Sequence, residues 1–199
     1  MYVKICGLTD PGHVAAAVEA GADAVGFVLT SSSRRITPER AAELASLVPP
    51  EVLTVGVFRG EDPAEVRDAA LAAGVRAIQL HGHHPHADFT ALKDLGRTLI
   101  RAVDARADLR CGAYDESLLI VDAPRAGSGE PWDWSAVRGR PTGRWLLAGG
   151  LAPGNVAEAV AAARPWGVDV SSGVETAPGV KDPALMAAFV TAARGGPDR

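Results

Sequence analysis

A (β/α)₈ barrel of eight parallel strands is the fold this sequence predicts, and three observations carry that expectation. Short aliphatic runs alternate from end to end with Ala-rich amphipathic stretches. Eight such runs can be counted, and strict alternation of this kind builds a parallel sheet. Polar or permissive residues follow nearly every run, as they do at the catalytic rim of such barrels. An open doubly wound sheet with fewer strands is the competing arrangement; eight strands in 199 residues favour closure, which removes the edges.

The runs are Tyr2–Cys6, Ala24–Leu29, Leu53–Phe58, Ala77–Leu80, Thr98–Val103, Leu118–Val121, Arg144–Ala148 and Val168–Val170. Each is bounded by turn residues, as strands buried on both faces should be. Pro11–Ala20 and Pro38–Leu47 start with a proline after Asp10 and Thr37, an N-cap followed by the first helical position. Asp62-Pro63 and Asp182-Pro183 repeat that device ahead of Asp62–Ala73 and Asp182–Arg194. Gly21 and Gly74 stand where a helix stops. Pro153–Arg164 supplies another helix, whereas Ala107–Tyr114 and Trp134–Val137 promise single turns. About 250 residues is typical for eight units, so loops here must be brief and some helices reduced. No linker or low-complexity tract interrupts the chain, which reads as one domain over residues 1–199.

Composition narrows the partners. Lys+Arg 20 against Asp+Glu 24 gives a formal −4 without a basic stripe, which argues against nucleic acid. No apolar run reaches membrane-spanning length, and residues 1–10 lack a secretory pattern. Two cysteines, Cys6 and Cys111, make no disulfide framework, so a soluble protein of the reducing cytoplasm is expected.

Strand ends place the chemistry. After runs seven and eight come Gly149-Gly150, with Asn155 beyond, and Ser171-Ser172-Gly173. Backbone N–H groups and hydroxyls there suit a phosphate, a role such loops often take in barrels. Gly127-Ser128-Gly129 after run six is placed to close over the same group. Cys6 ends run one before a glycine, and Asp122 ends run six after four aliphatic residues. An isolated carboxyl is costly there unless it is paired or functional. Runs seven and eight separate the two around the barrel, so a phosphate-anchored ligand would lie between thiol and carboxyl, an arrangement suited to acid–base work. Cys111 reads as packing.

His81, His83, His84 and His86 raise a metal site, but no carboxylate cluster accompanies them and spacing fixes no coordination geometry. No metal or organic cofactor is expected. Trp132, Trp134, Trp145 and Trp166 read as packing, and Asp169 within run eight as either an orienting group or a buried acceptor.

Several motifs carry a resemblance. They are Lys4-Ile5-Cys6-Gly7-Leu8-Thr9, Gly21-Ala22-Asp23-Ala24-Val25-Gly26-Phe27, Val55-Gly56-Val57-Phe58 and Gln79-Leu80-His81-Gly82. Leu146-Leu147-Ala148-Gly149-Gly150-Leu151 with Asn155-Val156, then Gly167-Val168-Asp169-Val170-Ser171-Ser172-Gly173-Val174-Glu175 and Lys181-Asp182, complete them. Together they resemble the phosphoribosylanthranilate isomerase family, a barrel of tryptophan biosynthesis, in order and over almost the whole chain. The resemblance implies an Amadori rearrangement of a phosphorylated substrate, with Cys6 as general base and Asp122 as general acid. For this the thiol should be depressed towards thiolate and the carboxyl held protonated near neutral pH. It implies that Arg34 faces the anthranilate carboxylate; His81, by its place after run four, is also within reach of substrate. Two departures stand out. Ser32-Ser33-Arg34-Arg35 lacks a proline usual in the family, which leaves Arg34 and Arg35 as alternatives, and Glu130 replaces a lysine after Gly127-Ser128-Gly129. A histidine-pathway isomerase would carry Asp where Cys6 stands. A metal-dependent epimerase would respond to chelators, and a non-catalytic phosphate-binding barrel would bind without turnover.

Overall fold

The computed structural model describes residues 1–124 and 131–195. Eight parallel strands close into a barrel in chain order: β1 (Tyr2–Cys6), β2 (Ala24–Val28), β3 (Leu53–Phe58), β4 (Ala77–His81), β5 (Thr98–Asp104), β6 (Leu118–Asp122), β7 (Trp145–Leu147) and β8 (Gly167–Val170). The seam is β1 on β8, with Lys4 level with Asp169. Three strands run one residue beyond the expected ends, so His81, Asp104 and Asp122 are strand residues whose backbones the ladder holds.

Helices α1 (Pro11–Glu19), α2 (Pro38–Ala45), α3 (Pro63–Ala72), α5 (Val156–Ala163) and α6 (Pro183–Ala193) match expectation to within a few residues. Asp10, Thr37, Asp62 and Asp182 all accept backbone N–H bonds as N-caps, and Asp62 completes a capping box with Glu65. Such caps contribute about 1 kcal/mol each. A further helix, α4 (His86–Leu92), was not expected: its seven residues start after Pro85 and bury only Phe89 and Leu92, too short an apolar pattern to stand out. Trp134–Val137 is a single 3₁₀ turn as expected, while Ala107–Tyr114 has turns but no helix. After β8, a 3₁₀ turn (Ser172–Val174) leads into a small hairpin of β9 (Glu175–Ala177) and β10 (Val180–Lys181).

Alternation along each strand splits the core in two. Val3, Ile5, Ile78, Leu80, Leu119 and Val121 face the helices, whereas Ala24, Val55, Ile100, Ile120 and Leu146 fill the barrel. Where β5 and β6 lack a helix between them, Arg101 takes over the packing. From the outward face of β5 it donates to Glu116 at 2.7 Å and to the carbonyls of Asp108 and Arg110, and its guanidinium lies over the Tyr114 ring. Both partners of the ion pair are almost fully buried. Removing one half of such a pair strands the other charge, so Arg101→Met should cost about 3–5 kcal/mol. Urea titration should show it, and Arg101→Met/Glu116→Leu should recover much of the loss.

Candidate active site

The inward file of each strand ends at one mouth. There Cys6, Arg34, Arg59, Gln79, His81, Asp122, Asp169, Ser171 and Ser172 line a cavity of about 280 Å³. Cys6 is 8% exposed, at the end of β1. Burial pushes its thiol up, and the nearby Lys4 and Lys181 charges only partly oppose this. That is opposite to the depression expected from sequence: the neutral thiol is favoured, because desolvation by burial outweighs the cations.

Asp122 ends β6, with β7 and β8 between it and β1. Its Oδ1 accepts from the Ala123 N–H at 2.7 Å, and its Oδ2 lies 3.8 Å from His81 Nε2. Burial pushes this carboxyl up, against the Ala123 N–H and the charges of Arg59 and Lys4, which is the direction a proton donor needs. Gly149, with φ 85°, leaves room for it: a Cβ there would lie 2.7 Å from Asp122 Oδ1 and 2.6 Å from the Ala123 nitrogen. Glycine alone satisfies both the φ and the approach.

His81 is held down to about 4, first by burial and then by Arg59, so the imidazole is neutral through the physiological range. An unfolded chain would protonate this histidine near its ordinary 6.5 and therefore binds more protons between those two values. The stabilisation is complete above about 6.5 and is lost as pH falls towards 4, at most about 3 kcal/mol. Urea midpoints at about pH 7 and about pH 5 should differ less in His81→Asn than in wild type.

The rim predicted for phosphate is brought together in part. Gly149, Gly150, Ser171 and Ser172 line the cavity. Asn155 fastens this loop, accepting from the Ala152 N–H and donating to the Gly150 carbonyl, each at 2.8 Å. Gly173 is not among the lining residues; a Cβ there would fall on the Leu151 carbonyl oxygen, so its service is to let the β7 and β8 loops touch. Gly127, Ser128 and Gly129 lie outside the described residues.

Of the two arginines, Arg34 lines the cavity while Arg35 is exposed beside Val28. Glu175 grips Arg34 through Nε and Nη2, both at 2.7 Å, and also accepts from Lys181 at 2.7 Å. These two cations hold the Glu175 carboxyl at about 2 despite its burial. The grip occupies one edge of the guanidinium and leaves Nη1 with the outer side of Nη2 for an anion. Lys181 also donates to the Ser171 carbonyl at 2.9 Å, and Ser171 Oγ to the Cys6 carbonyl at 3.1 Å, so the hairpin, β8 and β1 are tied at the rim.

Of the other histidines, His83 is exposed and two are engaged elsewhere. His84 accepts from the Gly60 N–H and pairs with Asp88, while His86 pairs with Asp115. Trp134 and Trp145 are buried, Trp132 donates to the Ala148 carbonyl, and Trp166 stacks on Tyr2 although 40% exposed. Sequence reasoning gave no site role to Arg59, Gln79 or Lys4. Arg59 was visible as the polar residue after Leu53–Phe58, and Gln79 as a polar residue inside Ala77–Leu80. Gln79 Oε1 is buried with no partner among the described residues. Asp169 points inward and pairs with Lys4 at 2.9 Å, in answer to the question its position raised.

Fold and site define a (β/α)₈-barrel enzyme with a thiol and a carboxyl group across a small polar mouth. The chain belongs to the N-(5'-phosphoribosyl)anthranilate isomerase family, whose model matches residues 3–192. It is similar to the N-(5'-phosphoribosyl)anthranilate isomerase of Symbiobacterium thermophilum, 43% identical over 98% of this chain and 99% of that one. Among solved structures it resembles TrpF from Jonesia denitrificans, at TM-score 0.89 and 50% identity over 98% of this chain and 97% of that one. A further similar structure is a phosphoribosyl anthranilate isomerase in complex with reduced 1-(o-carboxyphenylamino)-1-deoxyribulose 5-phosphate. It has TM-score 0.85 and 37% identity, over 98% of this chain and 99% of that one.

Proposed function

We propose that Cys6 and Asp122 carry the proton transfers by which this chain converts N-(5'-phosphoribosyl)anthranilate into 1-(2-carboxyphenylamino)-1-deoxyribulose 5-phosphate in tryptophan biosynthesis. Asp122 gives its proton to the furanose ring oxygen, and the ring opens to a Schiff base. Cys6 removes the C2′ proton, and the resulting enolamine tautomerises to the ketone. The shift is internal, with no net gain or loss of electrons, and the chain acts without a cofactor. The observation that carries this reading is one cavity shared by Cys6 and Asp122, with a glycine- and serine-lined rim between them.

Gly149, Gly150, Ser171 and Ser172 receive the phosphate, Gly173 holds their loops together, and the 127–129 segment adds to the same group. Arg34 faces the anthranilate carboxylate with the edge that Glu175 leaves free. His81, neutral beside Asp122, hydrogen-bonds substrate without competing for charge. The chain acts as one folding unit on a phosphorylated small molecule in the cytoplasm; among the described residues no helix is long and apolar enough to cross a membrane. Anthranilate fluorescence supplies the test. Purified protein should abolish the substrate's fluorescence catalytically, at sub-stoichiometric enzyme. Saturable binding with the fluorescence retained would instead mark a non-catalytic barrel.

A further inference from the structure

Directly beneath the reacting groups lies a charged pair that the proton transfers above do not use. Lys4 stands two residues before Cys6 on β1, on the same inward face, and its side chain is wholly buried. Its ammonium donates to both carboxylate oxygens of Asp169, at 2.9 and 3.0 Å, from directly across the β1–β8 seam. Burying an ammonium in a barrel floor is costly, and an apolar pair at these positions would satisfy packing alone. Burial works against the charge of this ammonium, and the facing Asp169 and Cys6 together outweigh it.

We propose that Lys4 is a positioning residue for the base: held in place by Asp169, its fixed charge sits under the Cys6 sulfur and stabilises the thiolate when the C2′ proton is to be removed. Several charged groups among the described residues face this sulfur. Lys4 on β1 and Lys181 on β10 favour the thiolate, and Asp169 on β8 opposes it. Arg34, from the loop after β2, also senses the Cys6 charge. Asp169 in turn faces Asp122 and His81 as well as Lys4. Lys4 and Asp169 therefore act on Cys6 with opposite signs.

That opposition is the test. In a Cys111→Ser background, Cys6 is the sole thiol, and its rate of alkylation by iodoacetamide against pH reports its ionisation without any turnover. Lys4→Met should move the midpoint up by about one pH unit or more, tenfold less thiolate at a given pH. Asp169→Asn should move it down, and Lys4→Arg should leave it near the wild-type value. Lys4→Met should also lower kcat at least about tenfold with KM within about threefold, because the effect is exerted on the base rather than on binding. Should the stranded Asp169 charge prevent folding, Lys4→Met/Asp169→Leu removes both charges and should still show the raised midpoint and reduced kcat. A midpoint within about 0.3 unit of wild type in the folded Lys4 variants, or shifts of the same sign in Lys4→Met and Asp169→Asn, would overturn the proposal. The inference rests on Cys6 being the base, and the outcomes separate: full turnover in Cys6→Ser removes that reading whatever the alkylation profile shows.

Discussion

Cys6→Ser should lose about 10²–10⁴ in kcat while KM changes little. A serine hydroxyl occupies nearly the same space at the end of β1 and packs against the same barrel interior, so the fold has no reason to fail. What changes is the basicity available. A thiol loses its proton several pH units more readily than an alcohol, and Lys4 cannot bring a hydroxyl into the working range. Positioned general bases contribute about that span of rate. Interactions made only as the proton leaves carbon appear in kcat, not in substrate binding. Steady-state fluorescence kinetics decide the matter, and a kcat within about threefold of wild type would remove Cys6 from the role of base.

For Asp122→Asn the expected loss is similar, about 10²–10⁴ in kcat, again with little change in KM. Asparagine keeps the shape and an oxygen to accept from the Ala123 N–H, which holds Asp122 at 2.7 Å. It cannot yield a proton to the ring oxygen. The pH dependence carries a sign as well. Burial raises the carboxyl, so its protonated form persists to higher pH than an exposed aspartate would allow. Activity that needs this proton declines as pH rises through that value, and activity that needs the thiolate declines as pH falls. Burial raises Cys6 as well, so the thiolate requirement also moves to higher pH. Retention of wild-type kcat in Asp122→Asn would exclude the carboxyl as the proton donor.

Much of this architecture can be read from residues close in sequence. Aliphatic runs such as Leu118–Val121 and Asp–Pro or Thr–Pro caps speak for themselves, because strand burial and N-capping are decided within a few positions. Cys6 and Asp122 were visible for the same reason: each closes a run in which a polar atom is costly. What could not be read depends on contacts distant along the chain. The Lys4–Asp169 pair spans 165 residues and the Arg34–Glu175 grip spans 141, so neither the floor of the site nor the choice of Arg34 over Arg35 is a local property. The direction of the Cys6 shift was misjudged because desolvation depends on every neighbour, and a motif shows only the adjacent ones. The close approach of Gly173 to the Leu151 carbonyl, a contact between loops, was likewise beyond a local reading. Helix α4 escaped because two buried residues are too few to show a period.

The resting state of Cys6 has a bearing on durability. Peroxide and other oxidants attack thiolates that solvent can reach, and both features are suppressed at a sulfur that is 8% exposed and held as the thiol by its surroundings. A cysteine in this condition should persist as the thiol through oxidative stress that would carry an open, acidic cysteine to sulfenic acid and beyond.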